Sequence, residues 1–163
     1  MQPITPFLWF DDAAEAAAEF YVGVFPNSRI LALTRYGHAG HEQHGRPPGS
    51  VMTVAFELNG QRFTALNGGS SFRFTPAVSF VVHCRNQDEI DHYWTLFSDG
   101  GAPEAQQCGW LQDRFGLSWQ IVPDRLPELL SDADAPRSER VIQALLGMRK
   151  LDLAALERAA NAS

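Results

Sequence analysis

Histidines are the side chains of this sequence with the most evident capacity for metal chemistry. His38, His41 and His44 recur at every third position, and a His-rich tract can bind a metal ion. The tract lies in a Gly- and Pro-rich segment, GHAGHEQHGRPPGS (37–50), which contains no regular element to fix the geometry of metal ligands. We therefore expect a mobile, solvated loop over a binding site, and a metal site formed by this loop folding inward is the alternative.

The two cysteines, Cys84 and Cys108, are the candidate nucleophiles. His83 adjoins Cys84, but neighbouring residues of a strand point to opposite faces, so this pair is poorly placed for Cys-His catalysis. We expect Cys84 to be buried and inert and Cys108 to be more exposed. Two cysteines alone do not imply a disulfide.

Gln120 is the third candidate, an amide inside the otherwise apolar strand of the segment CGWLQDRFGLSWQIVP (108–123). This segment predicts a β-hairpin with arms at Trp110–Gln112 and 118–122, joined by a turn at 113–116. A buried amide needs hydrogen-bond partners, so Gln120 is either a satisfied core residue or a ligand contact. Asp113 and Arg114 serve the turn or lie at the mouth of a cavity.

The elements that position these residues occur in two similar series. Residues 4–10 predict a strand and 13–25 a helix capped by Asp11 or Asp12, followed by strands at 28–36, Val51–Leu58 and Gln61–Asn67. The series restarts with a strand at 77–83, a helix capped by Asn86 or Asp88, a short strand near 102–106 and the hairpin. The sequence thus predicts an α+β fold of two βαβββ modules, 3–67 and 77–122. Helices at Leu126–Leu130, 136–146 and 151–160 follow as an appendage that packs on the domain or on a partner subunit.

Composition limits the choice of partners and of compartment. The 163 residues carry a formal net charge of −6, which argues against nucleic acid or an anionic membrane as the main partner. No apolar run approaches the ~20 residues of a membrane span, and the N-terminus lacks the features of a signal peptide. We expect a cytoplasmic protein.

The sequence resembles the PhnB-like branch of the vicinal oxygen chelate superfamily, the glyoxalase/bleomycin-resistance fold. The resemblance rests on ITPFLWFDD with EFY, FPNSRI, GSVMTVAFELNGQRFTALNGG, QCGWLQDRFGLSWQIVP and the tail LPELL…ALLGMRKLDLAALE. It implies a vicinal oxygen chelate domain at 1–123 and a C-terminal helical extension at 124–163. Members of this branch are often labelled 3-demethylubiquinone methyltransferases, but no Gly-rich turn for a methyl donor is present.

The resemblance also implies where a metal ion would be bound. In glyoxalase-like members, His, Glu or Gln side chains from four strands hold a divalent metal, and the corresponding positions here are Thr5, Ala65, Ala77 and Gln120. Alanine cannot ligate a metal, and threonine and glutamine are weak neutral ligands. We therefore expect neither a metal nor another cofactor.

The same correspondence predicts a cavity that binds an unidentified small molecule. Its predicted lining is aromatic with a few amides and hydroxyls, which suits a partly planar organic ligand: Phe7, Trp9, Phe63, Asn67, Ser79 and Gln120, with Trp110 added if the hairpin loop has five residues. We expect a metal-free binding protein that forms a homodimer. The alternatives are a metal-dependent lyase, isomerase or dioxygenase, and a structural role in which the C-terminal helices dock a partner.

Overall fold

The computed structural model describes residues 3–131 and 134–162. The chain forms two compact units, residues 1–74 and 75–163, so the C-terminal helices belong to the second unit. The domain limits expected from the resemblance, 1–123 and 124–163, stay a prediction. Across the described residues, no helix is both long enough and apolar enough to cross a membrane.

The first unit is a four-stranded sheet with one long helix. Its elements are β1 (Phe7–Phe10), α1 (Ala14–Val24), β2 (Arg29–Arg35), α2 (His41–His44), β3 (Val51–Leu58) and β4 (Gln61–Asn67). The strand order is β1-β4-β3-β2, with β1 parallel to β4 and the other pairs antiparallel. The predicted Asn59-Gly60 turn is confirmed, because both residues have positive φ, as a tight two-residue hairpin requires.

The core of the first unit lies between α1 and one face of β3 and β4. The β3 residues Val54, Phe56 and Leu58 are buried in strict alternation. Tyr21 of α1 is fully buried and stacks on Phe56 at 6.2 Å between ring centroids, and Phe56 stacks on Phe63 at 5.4 Å. One face of the sheet is thus covered by α1.

The start of α1 differs from the sequence prediction. Its N-cap residue is Ala13, and neither Asp11 nor Asp12 caps it with a side chain. Instead, Oδ1 of Asn67, at the end of β4, accepts a 2.8 Å hydrogen bond from the backbone N–H of Ala14. A residue 53 positions away therefore satisfies a helix donor that we expected a local carboxylate to satisfy.

The second unit repeats the strand-helix pattern around a three-stranded sheet. Its elements are β5 (Ser79–Cys84), α3 (Gln87–Ser98), a 3-10 helix (Pro103–Ala105), β6 (Trp110–Gln112), β7 (Ser118–Pro123), α4 (Leu126–Leu130), α5 (Ala135–Leu146) and α6 (Leu153–Asn161). The strand order is β5-β7-β6. Asn86 caps α3 by accepting a 3.0 Å hydrogen bond from Glu89 N–H, which confirms one of the two predicted caps.

The short strand predicted near 102–106 was wrong. Pro103 begins a 3-10 turn in its place, since proline lacks the N–H that a sheet strand donates and its φ suits the first position of a helix.

The C-terminal helices pack against the second unit. Leu151 and Leu156 are fully buried in a cluster with Val122, at the end of β7. The side chain of Gln87 ties α3 to this segment, because Nε2 donates to Leu151 O at 3.0 Å and Oε1 accepts from Leu153 N–H at 2.8 Å. The mixed α+β structure that the sequence predicts is confirmed, and the extension packs on its own chain, which is one of the two predicted alternatives.

Candidate functional site

The face of the second sheet that points away from α3 brings together three predicted site residues. Gln120 of β7 pairs in register with Trp110 of β6, and its side-chain Nε2 donates a 2.9 Å hydrogen bond to Ser79 Oγ. The loop between β6 and β7 has five residues, 113–117, which is the condition under which Trp110 shares this face with Gln120. All three side chains are partly exposed.

Hydrogen-bonding groups on this face remain available to a ligand. Within residues 3–131 and 134–162, the Oε1 atom of Gln120 and the indole N–H of Trp110 have no hydrogen-bond partner. Ser79 Oγ accepts from Gln120, and its own proton is free to be donated. The protein uses one of the two protons on Gln120 Nε2, which leaves one acceptor (Gln120 Oε1) and three donors (the second Nε2 proton, the Ser79 hydroxyl and the Trp110 indole N–H) for a bound molecule.

The hairpin turn is held by a buried carboxylate. Asp113 is 3% exposed; its Oδ1 accepts from Phe115 N–H at 2.8 Å and Leu117 N–H at 3.1 Å, and its Oδ2 accepts from the Trp119 indole N–H at 2.8 Å. Arg114 forms a 2.6 Å ion pair with Asp99. Asp113 therefore serves the turn and also fixes Trp119, which packs on α3 through Phe97, whereas Arg114 joins the turn to the residue after α3.

In the first sheet, the predicted site residues divide between two faces. The parallel register sets Phe7 opposite Thr64 and Trp9 opposite Leu66, on the face away from α1. Phe63 and Asn67 are buried on the face that α1 covers. The expectation that the Phe63–Asn67 face joins Phe7 and Trp9 was therefore wrong, because the two strands are offset by one residue from the phase we assumed.

Asn67 is committed to the fold through both atoms of its amide. Oδ1 caps α1, and Nδ2 donates to Val51 O at 3.1 Å on β3. Its backbone carbonyl accepts from the hydroxyl of Tyr36 at 2.6 Å. These contacts account for the asparagine of the ALNGG motif without a ligand.

The residues at the four positions that the resemblance assigns to a metal do not fit one. Thr5 and Ala77 lie outside the strands and are exposed, and Ala65 is a fully buried methyl group on the helix-covered face. Thr64 and Leu66, the β4 residues on the opposite face, supply no better metal ligand. Over the described ranges, no group of three or more His, Cys, Asp or Glu side chains is placed to hold a metal ion.

The histidine loop contains the short helix α2, where the sequence analysis expected no regular element. His44 Nδ1 accepts a 2.9 Å hydrogen bond from Arg46 N–H, and Nε2 lies 3.2 Å from Ala39 O, so the neutral ring with a proton on Nε2 satisfies both contacts. The ring also contacts the Tyr36 ring in a tilted arrangement, with 4.5 Å between the centroids. Both ring nitrogens of His44 are thus engaged within the loop, so neither is free to bind a metal ion.

Cys84 is buried, and its burial, with smaller contributions from Glu89 and Asp124, raises the pKa of its thiol to about 12. It is therefore a protonated, inert thiol at neutral pH. Cys108 is partly exposed, and both cysteines are free.

One cluster in the first unit escaped the sequence analysis. It lies where the parallel strands β1 and β4 end and comprises Trp9, Gly68, Gly69, Phe72 and Arg46. The Trp9 indole N–H donates to Gly69 O at 2.8 Å, and Phe72 meets the Trp9 ring edge-on at 5.0 Å. Arg46 donates through Nη2 to Asp11 O and contacts Asp11 Oδ1 at 3.4 Å. A lone arginine in a Gly/Pro loop offers no pattern from which this contact could have been predicted.

Comparison with known proteins points to one family. Residues 2–122 match the model of a family described as 3-demethylubiquinone-9 3-methyltransferase. The structure is similar to a PhnB protein from Bacillus cereus, at 35% identity and a TM-score of 0.64, covering 75% of this chain and 99% of that one.

More distant structures share the fold alone. The fosfomycin resistance protein FosX from Listeria monocytogenes matches at 14% identity and a TM-score of 0.54, over 80% of this chain and 98% of that one. A protein from Pseudomonas aeruginosa matches at 15% identity and a TM-score of 0.57, over 76% and 98%. No protein of curated function matches the chain.

Proposed function

The chain belongs to the family described as 3-demethylubiquinone-9 3-methyltransferase, the PhnB-like branch of the vicinal oxygen chelate superfamily, and we propose that it binds a small, planar organic molecule without a metal ion. The observation that supports this proposal is the set of unpaired hydrogen-bonding groups around Gln120, on a sheet face that also presents the Trp110 ring. An amide or imide, which donates and accepts side by side, matches that capacity.

Specificity in this proposal comes from a fixed amide. The bond to Ser79 orients the Gln120 side chain, so its free oxygen points in one direction before a ligand arrives. An oriented acceptor costs less rotamer entropy on binding than a free one. The Trp110 ring supplies apolar area, and its N–H supplies a second directional contact.

Methyl transfer, which the family's description names, is not part of the proposal. A doubly wound methyl-donor site needs parallel strands and a Gly-rich turn after the first strand. Here β1 is followed by Asp11, Asp12 and Ala13, and β4 and β3 pair antiparallel beside it. The residues present do not fit a methyl donor at that place.

The test uses 2-naphthamide as a neutral planar probe, titrated by calorimetry. Gln120→Leu removes the amide at similar volume, and we expect the dissociation constant to rise about fivefold to tenfold, the value of one hydrogen bond. Gln143→Leu, an exposed amide on α5, is the matched control and leaves it unchanged. Equal affinity in Gln120→Leu and wild type contradicts the proposal, as does a wild type that does not bind the probe.

We also propose that the chain forms a homodimer. β2 is an edge strand of the first sheet and exposes Ile30 (39%) and Leu31 (36%), and an apolar open edge is a site where a second chain can pair. Sedimentation at micromolar concentration tests this, and a monomer there contradicts it.

A further inference from the structure

We propose that the first unit carries a site for a planar carboxylate at the ends of β1 and β4, in which Arg46 binds the carboxylate and Trp9 and Phe72 bind the ring. This site goes beyond the amide-binding face of the second sheet, because it uses different residues in a different unit and selects a charged ligand.

Arg46 is a mostly buried cation, and some of its N–H donors have no acceptor among the described residues. Its side chain is 21% exposed, and its side-chain contacts use Nη2, which donates to Asp11 O and lies 3.4 Å from Asp11 Oδ1. Within the part of the chain that the structure describes, Nε and Nη1 have no acceptor. A guanidinium presents its donors as a planar fork that matches a carboxylate, and Nε and Nη1 keep contact with solvent, so a ligand can reach them.

The loop around α2 positions this cation. The Arg46 backbone N–H donates to His44 Nδ1, and the His44 ring contacts Tyr36, whose hydroxyl donates to Asn67 O. Arg46 is therefore attached to the end of β4 through a chain of ordered contacts. Because the backbone of Arg46 is held in place before a ligand binds, binding orders fewer groups and costs less conformational entropy.

The aromatic part of the site is fixed against the same strand ends. The indole of Trp9 is held by its bond to Gly69 O, and Arg46 Nη2 lies 3.5 Å from the position a Cβ would take on Gly69. Phe72 is 65% exposed and stands edge-on to Trp9. An exposed phenyl ring perpendicular to an indole provides two apolar surfaces at right angles, into which a flat ring fits.

The test compares 2-naphthoate with 2-naphthamide, which differ in charge and share one ring system. We expect wild type to bind the carboxylate more tightly through Arg46, and Arg46→Gln to weaken 2-naphthoate about tenfold while 2-naphthamide stays unchanged. Arg35→Gln is the matched control, an exposed arginine at the base of the same loop that bonds Gly49 O, and it leaves both affinities unchanged.

Two NMR readouts place the site and separate it from the second sheet. Titration of 2-naphthoate shifts the Trp9 indole N–H resonance in wild type, and raising the salt concentration weakens this titration. If Arg46→Gln keeps the full 2-naphthoate affinity, or if only the Trp110 resonance shifts, the inference is overturned. That second result would leave the proposed ligand face of the second sheet intact.

Discussion

The clearest energetic consequence of the structure concerns Asn67. Asn67→Ala removes the acceptor for Ala14 N–H and the donor to Val51 O, and both lost contacts are inside the first unit, where Asn67 is 7% exposed and Ala14 is fully buried. Asn86→Ala is a matched control, because Asn86 caps α3 through one local bond at an exposed position.

The expected magnitude follows from the count of groups left unpaired. Each buried group without a partner costs about 1–3 kcal/mol, so two groups with partial relief by water predict a loss of about 2–4 kcal/mol for Asn67→Ala. The loss of an ordinary N-cap predicts about 1 kcal/mol for Asn86→Ala. For a chain of this size 1 kcal/mol lowers Tm by roughly 2–4 °C, so the two variants separate clearly.

Urea unfolding followed by circular dichroism measures both losses. Asn67→Asp adds a third point, because it keeps the acceptor for Ala14 N–H and gains from the positive end of α1, whereas its second oxygen faces Val51 O without a hydrogen bond; we expect a loss smaller than that of Asn67→Ala. It also leaves the affinity for 2-naphthamide unchanged. If Asn67→Ala is no more damaging than Asn86→Ala, or if Asn67→Asp loses ligand affinity at wild-type stability, the structural role assigned here is refuted.

Two further predictions concern single groups. Gly68→Ala places a methyl group where it overlaps the indole ring of Trp9, so we expect a shifted Trp9 indole N–H resonance and a lower Tm. Gly37→Ala is the control, because the space around Gly37 is open, and it changes neither quantity. An unshifted Trp9 resonance in Gly68→Ala contradicts this packing. Iodoacetamide at pH 8 labels Cys108 and spares Cys84 until urea is added, because burial raises the Cys84 pKa to about 12 from 9.0. Since the folded pKa is the higher one, the thiol's contribution to stability is complete below pH ~9 and is lost as the pH rises toward 12. Equal labelling of both cysteines in the folded chain contradicts the burial of Cys84.

The local patterns of the sequence predicted most elements of the fold. The alternation of Val51–Leu58, the Asn59-Gly60 turn and the hairpin at Asp113 each carry their signal within a few residues, and each formed as expected. The sequence also predicted that Trp110 and Gln120 share one face of the second sheet. The alternation of side chains along β7 and the length of the hairpin loop together decide this pairing.

The predictions that were wrong or missing concern contacts between segments that are far apart in the sequence. We predicted correctly which β4 residues share a face. Which β1 residues lie on that same face depends on the register of the parallel pair β1 and β4, and no short motif specifies that register. The cap of α1 by Asn67 and the contact of Arg46 with Asp11 also join segments far apart in sequence. These contacts separate a structural asparagine from a candidate binding arginine, a distinction that residue type alone does not make.

We propose a binding site that works without a metal ion. Native mass spectrometry of protein purified without chelator or added metal tests it most directly, since one spectrum reports oligomeric state, metal content and any retained organic molecule. We expect a dimer that carries an organic molecule and no stoichiometric metal, and we expect less of that molecule to be retained by Gln120→Leu. A stoichiometric zinc, nickel or iron adduct, retained through dilution, would contradict it and would return the chain to the metal-dependent chemistry of its superfamily.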